Sequence, residues 1–526
     1  QGWVQLLRST TPMSRHHSFP LDYDSPPKHL TVHSYHSKYQ TISSLGNGSF
    51  GTVNLAKIKF FKFDLLNLHK NKLGTLLCPL EDSKCNTSNL VAIKTMKKKL
   101  PLLQEYSNVK EVKFILSVPS HPCLVQIYEM FIDDIQYQLH ISMEALNQNL
   151  YQLIRSRRNI KFSPVTLKSI LSQLLCAIRH IHKCNYFHRD VKPENILVIP
   201  TLHFYGSKAA IPPYRKNDNF IIKLGDYGLA RHVSNIKPYT AYVSTRWYRS
   251  PEILLRQKWY SRPIDIWAFG AVAVETANFV PLFPGSNELD QIWKILKILG
   301  TPFVPEPKAI NASYVVPLGG YWTEALFLTN KLGIKLPDES GMSIEDIVQH
   351  PDSLALIEVI QSCLKWDPLA RADATEIAKM QYFKESITMM DTYFETDTVS
   401  MNTALNKLAG IPNSPSRKLL TPSKLQKNSN GTCNTTGSVP VFQDSDDGYE
   451  NYFGEYIAKQ PERNSSGNES YKLFAQPWLL KVNEVLGTRE SEMEPRRAGN
   501  EAHDLKKKLS KVAGTKRSFT TFSLDS

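Results

Sequence analysis

The stretch His188-Arg189-Asp190-Val191-Lys192-Pro193-Glu194-Asn195 sets a carboxylate, an ammonium and a carboxamide close together in the chain. Just before it, Leu167, Ile170, Leu171, Leu174, Leu175, Ile178 and Ile181 recur at i, i+3, i+4 spacing. That period predicts a helix with one buried face, opened by Ser163-Pro164. After it come Asp226-Tyr227-Gly228 and then Ser250-Pro251-Glu252. Working outward to the amino-terminal side, Gly46-Asn47-Gly48-Ser49-Phe50-Gly51-Thr52-Val53 follows a Gly-x-Gly-x-x-Gly-x-Val pattern. Glycines there let backbone N–H groups approach phosphates, although alone the pattern is equally a plain turn. Val91-Ala92-Ile93-Lys94 reads as an apolar strand ending in a cation. Glu111 lies 17 residues later on a helix predicted around Val109, Val112, Ile115 and Leu116, placed to pair with the Lys94 ammonium. Strand patterns come first and helical ones after.

Taken together and in this order, these elements resemble a eukaryotic protein kinase from Tyr39 to about Lys384. The resemblance implies an α+β, bilobal fold: a small β-rich lobe with one key helix, then a larger, mostly helical lobe. It also implies ATP and Mg²⁺ as cofactors and protein serine/threonine hydroxyls as substrate. Phosphoryl transfer requires positioning and charge neutralisation more than covalent chemistry. By resemblance, Asp190 accepts the substrate hydroxyl proton and Lys192 stabilises charge on the transferred group. Lys94, held by Glu111, grips the α/β-phosphates, while Asn195 and Asp226 offer oxygens to the hard cation. Leu45, Gly46, Gly48, Gly51 and Val53 cover the nucleotide. Ala92 and Leu197 sandwich the adenine with Val53, Met143 is the gatekeeper, and Glu144 and Leu146 supply hinge backbone hydrogen bonds. Asp265 and the pair Glu252–Arg371 are expected to be structural.

The segment Thr240 to Arg249, with Leu282-Phe283-Pro284-Gly285 and Leu299-Gly300-Thr301-Pro302, resembles the group of cyclin-dependent and mitogen-activated kinases. The Thr240-x-Tyr242 pair is similar to the male germ cell-associated and intestinal cell kinase subgroup. The long first insertion and Ser250 look most like its budding-yeast meiosis-inducing branch. The resemblance implies activation by phosphorylation of Thr240 and Tyr242 by an upstream kinase. Lys110, Arg189 and Arg231 are expected to receive the first phosphate, Arg246 and Arg249 the second. It implies a role in fungal meiosis and sporulation and a preference for proline near the phosphoacceptor. An upstream arginine is also expected, with Glu194 helping to receive it. The helix bearing Glu111 lacks the cyclin-binding signature, so no cyclin is expected.

Composition bounds the alternatives. The chain has 526 residues with 63 Lys+Arg against 49 Asp+Glu, a net +14. Residues 391–526 hold 18 basic and 17 acidic side chains, so the charge resides on the folded part and suits anionic ligands as well as nucleic acid. No stacking or groove-reading module appears, and no nucleic-acid partner is expected. The 7 cysteines are scattered without CxxC pairing, which argues against a disulfide framework. No apolar run reaches membrane-spanning length; Ile266 to Phe283 has Asp265 before it and Glu275 within it. His180, His182, Cys184 and His188 could be taken as a metal cluster, but the helix face argues otherwise. The domain plan is a disordered extension over 1–38, a kinase domain over 39–384 with loop insertions at about 60–89 and 200–219, and a mostly disordered tail over 385–526. Met13 reads as the natural start. Lys506 to Arg517 could address the nucleus, though a plain solvated charge run is the favoured reading; a monomer in nucleus and cytoplasm is expected. The rival to an enzyme is a kinase-fold scaffold acting through its insertions and tail.

Overall fold

The computed structural model describes residues 29–48, 51–80, 89–158, 160–235, 246–304, 315–348 and 354–392. The amino-terminal lobe is built on a six-stranded sheet in the order β1-β5-β6-β4-β3-β2. Its elements are β1 (Thr31–Val32), α1 (Tyr35–Lys38), β2 (Tyr39–Asn47), β3 (Gly51–Ile58), α2 (Lys62–Leu68), β4 (Leu90–Met96), α3 (Lys110–Ser117), β5 (Ile127–Ile132) and β6 (Leu139–Glu144). The antiparallel register sets Val53 opposite Lys94 and Ala92 opposite Met143. Alternation along β4 then divides its side chains between two faces. Ala92 packs with Leu45 and Leu55, whereas Val91 and Ile93 pack with Tyr39, Tyr128 and Phe131.

The chain continues through β7 (Gln148–Asn149), α4 (Leu150–Ser156), α5 (Pro164–Lys183), β8 (Tyr186–Phe187), β9 (Ile196–Pro200), α6 (Thr201–Tyr205), β10 (Phe220–Leu224) and β11 (Arg231–His232). The helices that follow are α7 (Pro251–Leu254), α8 (Pro263–Asn278), α9 (Glu288–Leu299), α10 (Thr323–Lys331), α11 (Ile344–Ile347), α12 (Leu354–Cys363) and α13 (Ala374–Lys379). This is the expected α+β, two-lobed kinase fold. Helix α5 begins where the sequence places it: the Ser163 side chain accepts from Thr166 N, satisfying one of the orphan donors of the first turn. All seven of its periodic Leu and Ile residues are buried. Helix α8 is buried nearly all round, so an apolar run with two carboxylates is a core helix. Among the described residues no helix is long and apolar enough to cross a membrane.

Folded elements extend past the expected 39–384 at both ends. Strand β1 pairs with β5, and Tyr35 N donates to Asp133 Oδ2 at 2.7 Å. At the other end residues 384–392 are helical, where Ser386 meets Ser172 (2.8 Å) and Asp391 pairs with Arg179. Neither insertion is a surface loop throughout. The first contains α2 and the buried pair Leu76 and Leu77. The second contains α6 and Arg215, only 1% exposed and paired with Asp218 at 3.1 Å. In both cases burial of a few large side chains decides the outcome, and no sustained period announces it.

Candidate active site

The catalytic stretch is held from below. Asp265, 1% exposed on α8, accepts from His188 N (2.7 Å), Arg189 N (2.8 Å) and His182 Nε2 (2.9 Å). Burial alone would raise its carboxyl pKa, but the hydrogen bond and charge of His182 bring it below the ordinary value. These contacts fix the loop so firmly that Arg189 sits at φ 72°, a left-handed conformation that a non-glycine residue adopts only when its surroundings demand it. His188 Nε2 lies 3.0 Å from Gly225 O, and His180 Nε2 lies 2.8 Å from Pro119 O. The rings considered above for a metal cluster are thus all engaged in scaffold contacts.

Above this platform, Asp190 Oδ2 meets Lys192 Nζ at 2.9 Å and Asn195 Nδ2 at 2.8 Å. Asn195 Nδ2 also donates to Asp190 O at 2.8 Å, so the amide nitrogen is committed and its carbonyl oxygen is the atom left for a cation. Asp190 Oδ1 is buried with no hydrogen-bond partner. A buried carboxylate oxygen without a donor is costly, and a substrate hydroxyl would satisfy it. Lys192 keeps its charge: burial disfavours the ammonium, but Asp190 and Glu194 raise its pKa overall.

Lys94 donates to Glu111 Oε1 (2.9 Å) and Oε2 (2.7 Å) and to Asp226 Oδ1 (2.9 Å). Burial opposes its charge, yet Asp226 and Glu111 together raise its pKa well above the usual lysine range. Enclosure raises the Asp226 carboxyl, but Lys94, with help from Lys192, holds it far below the carboxylate range. Asp226 takes φ 59°, and its side chain is 47% exposed, which leaves it open to a ligand. Tyr227, the departure from the commoner phenylalanine, is 2% exposed. Its hydroxyl finds the partner that burial demands, donating to Leu224 O at 2.9 Å with Val125 O at 3.3 Å. Its ring stacks on Phe114 of α3, centroids 4.7 Å apart.

The apolar candidates come together in two clusters. Leu45, Val53 and Ala92 form one, Leu146 and Leu197 belong to the other, and Met143 contacts both. The Glu144 carboxylate is buried, 1% exposed, and pairs through Oε2 with buried Lys223 at 2.8 Å, so a hinge contact falls to its backbone. In the glycine turn, Gly48 N donates to Gly51 O (2.9 Å). A Cβ on Gly51 would lie 2.4 Å from Thr95 O, so this position requires glycine. Gly46 stands opposite Val53 in the β2–β3 register. These features fit a nucleotide and a hard cation: two apolar clusters joined by Met143, a turn that requires glycine at Gly51, a cation held by two carboxylates, and oxygens for a cation on Asn195 and Asp226. Bound there, Mg²⁺-ATP would supply the phosphoryl group and shield its charge.

Of the phosphate-receptor candidates, Arg189 and Arg231 both reach Leu229 O (3.3 and 3.5 Å), and Arg189 also donates to Tyr260 OH at 2.5 Å. Lys110 opens α3. Arg246 donates to Ser286 O (2.8 Å), and Arg249 pairs with Glu288 at 3.6 Å. Thr240 and Tyr242 lie outside the described residues. Sequence reasoning missed Lys223, Tyr260 and Glu288, which lie far along the chain from the groups they engage and belong to no short motif.

Residues 81–383 match the family model of the protein kinase domain. That match starts beyond the glycine turn, which the register of β3 on β4 independently brings to Lys94. The chain is 48% identical over 376 residues to the meiosis induction protein kinase IME2/SME1 of Saccharomyces cerevisiae, covering 70% of this chain and 58% of that protein. It is 34% identical over 347 residues to the sporulation protein kinase mde3 of Schizosaccharomyces pombe, covering 66% and 54%. With the serine/threonine-protein kinase MAK of Mus musculus it shares 31% over 383 residues, covering 72% and 51%. The chain thus spans somewhat more than half the length of these relatives. With the glycine turn, the Lys94–Glu111 pair and the Asp190 loop in one cleft, this chain belongs to the protein kinase family.

Proposed function

We propose that this chain is a serine/threonine protein kinase transferring the ATP γ-phosphate to protein hydroxyls. The observation that carries the reading is Asp190, steadied by Lys192 and Asn195 through one carboxylate oxygen and left with the other unsatisfied. A hydroxyl placed there would donate its proton to Asp190 Oδ1 as its oxygen attacks, while Lys192 holds charge on the transferred group. Asn195 and Asp226 would hold Mg²⁺, and Lys94 the phosphates. Glu194 Oε2 is likewise buried and unpartnered, which supports a substrate cation upstream of the phosphoacceptor. The names of two relatives support a role in fungal meiosis and sporulation. Phosphorylation of Thr240 and Tyr242 by an upstream kinase switches the enzyme on, with the charge change met by Lys110, Arg189, Arg231, Arg246 and Arg249. It acts as a monomer without cyclin, in nucleus and cytoplasm.

The test is ATP-dependent phosphate transfer to a basic Ser/Thr peptide by wild type, Asp190→Ala and Thr240→Ala/Tyr242→Phe. Loss of transfer in the first variant and weakening in the second is expected. An inactive wild type carrying phosphate at both positions overturns the proposal.

A further inference from the structure

Glu111 is useful only while α3 keeps it against Lys94, and α3 is poorly equipped to stand alone. It has eight residues and no side-chain hydrogen bond at its N-cap, Val109, whereas isolated helices shorter than about 12–15 residues are marginal in water. Its last four carbonyls have no partner within the helix. One of them, Ile115 O, accepts from Leu76 N at 2.9 Å, and Leu76 belongs to the insertion between β3 and β4.

The insertion is tied down on both sides of that contact. Ser120, just after α3, donates from its backbone N to Thr75 O (3.2 Å) and from its hydroxyl to Cys78 O (2.5 Å). Gln126 Nε2 donates to Leu76 O at 2.7 Å. Leu76 and Leu77 are 1% and 2% exposed and share a core with Val112, Ile115 and Val118. Helix α2 is the anchor at the other end. Its Leu65 and Leu66 pack with Val91 and Ile93 on the sheet face opposite Ala92.

We infer that the strap Thr75–Cys78 is a positioning element for catalysis: it caps and packs the last turn of α3 and thereby keeps Glu111 paired with Lys94 from within the same chain. Loosening the strap lets α3 swing or fray, and the rate falls with the population of the paired state. The inference rests on the kinase reading for its rate measurement alone; the state of α3 is read without turnover.

The experiment uses the full chain and two truncations of equal volume, Leu76→Ala/Leu77→Ala in the strap and Leu65→Ala/Leu66→Ala in the anchor. Amide hydrogen exchange over 110–117 is followed by mass spectrometry, alongside kcat, peptide KM and Tm. The strap variant is expected to lose about tenfold in kcat with peptide KM unchanged, as a shift to one-tenth paired population requires, and to exchange at least about tenfold faster in α3, since the open fraction rises to about nine-tenths from a small wild-type value. The anchor variant lowers Tm comparably but leaves α3 exchange and kcat near wild type, and Leu76→Met/Leu77→Met restores kcat. Equal losses of kcat in strap and anchor variants, or α3 exchange unchanged in the strap variant, overturn the inference. If the strap variant does not fold, Ser120→Ala decides. Losing one hydroxyl donor there should speed α3 exchange about threefold at nearly constant Tm, and unchanged exchange refutes the strap. Faster exchange in a chain that never transfers phosphate would sink the kinase reading while upholding the strap.

Discussion

Arg371–Glu252 and Lys94–Glu111 are both buried ion pairs, one in each lobe, and they are built to different ends. Arg371 meets Glu252 bidentately, with both contacts at 2.7 Å. Its remaining donors go to Lys365 O (2.9 Å), Pro263 O (3.0 Å) and Trp366 O (3.4 Å), and its plane lies over the Trp267 ring at 5.1 Å. All five guanidinium donors are thus committed to fixed protein partners, and the two side chains are 0% and 1% exposed. Lys94 also uses all three donors, but one goes to Asp226, whose side chain is 47% exposed. A sealed pair carries structure; a pair with one partner at the solvent edge can exchange that partner for a ligand. Burial of an ion pair therefore says little about its role until the exposure of each partner is known.

The sharpest way to break this contrast is Arg371→Met. Glu252 would be left as an uncompensated buried charge, which costs about 3–5 kcal/mol. Urea unfolding should show that loss, while kcat per folded molecule stays close to wild type. A variant of normal stability, or a destabilised one with low kcat per folded molecule, would contradict the structural assignment.

Lys94→Met should behave in the opposite way. On the proposed reading Lys94 holds the α/β-phosphates, and losing that preorganised cation is expected to lower kcat by about 10²–10³. The stability cost is smaller: Glu111 loses its buried partner, but burial already raises its carboxyl pKa, so it can take up a proton, and the half-exposed Asp226 can take water or a cation. Phosphate-transfer rates and urea midpoints on the same preparations separate the two effects. Transfer at near wild-type rate would remove Lys94 from the machinery.

The legibility of these groups in the sequence follows from their chain geometry. Asp190, Lys192 and Asn195 lie on one short loop and must keep fixed spacing to act together, so residue order alone exposes them. Asp265 is legible because its helix, an apolar run opening on a carboxylate, is itself distinctive. Leu76 and Leu77 were not legible: they follow Asn71-Lys72-Leu73-Gly74-Thr75, a loop-like stretch, and their burial depends on α3 and Gln126. Leu30 and Tyr35 escaped for the same reason, since a two-residue strand pairing with β5 has no period to detect. The need of Tyr227 for a hydroxyl partner was foreseeable from burial, but the choice of Leu224 O was set by the tertiary fold.

Glu275 supplies a third case, a buried carboxyl on α8 that pairs with no basic side chain among the described residues. Its one hydrogen-bond partner is Tyr248 OH, donating at 2.8 Å. Burial, opposed by that hydrogen bond and reinforced by the charge of Glu194, pushes its pKa from 4.5 up to about 8. The folded chain therefore holds a proton that the unfolded chain releases. Below pH 4.5 both states are protonated and the group is neutral in the balance; between 4.5 and 8 stability falls as pH rises; above 8 the loss is complete. For one proton the slope is at most about 1.4 kcal/mol per pH unit. Glu275→Gln keeps an acceptor for Tyr248 and removes the titration, so its urea midpoint should change less between pH 5.5 and 7.5 than that of wild type. Equal pH dependence in the two proteins would mean that Glu275 is ionised when folded. A cation would then have to compensate it, and the grouping into sealed, exchangeable and uncharged carboxyls would lose its third member.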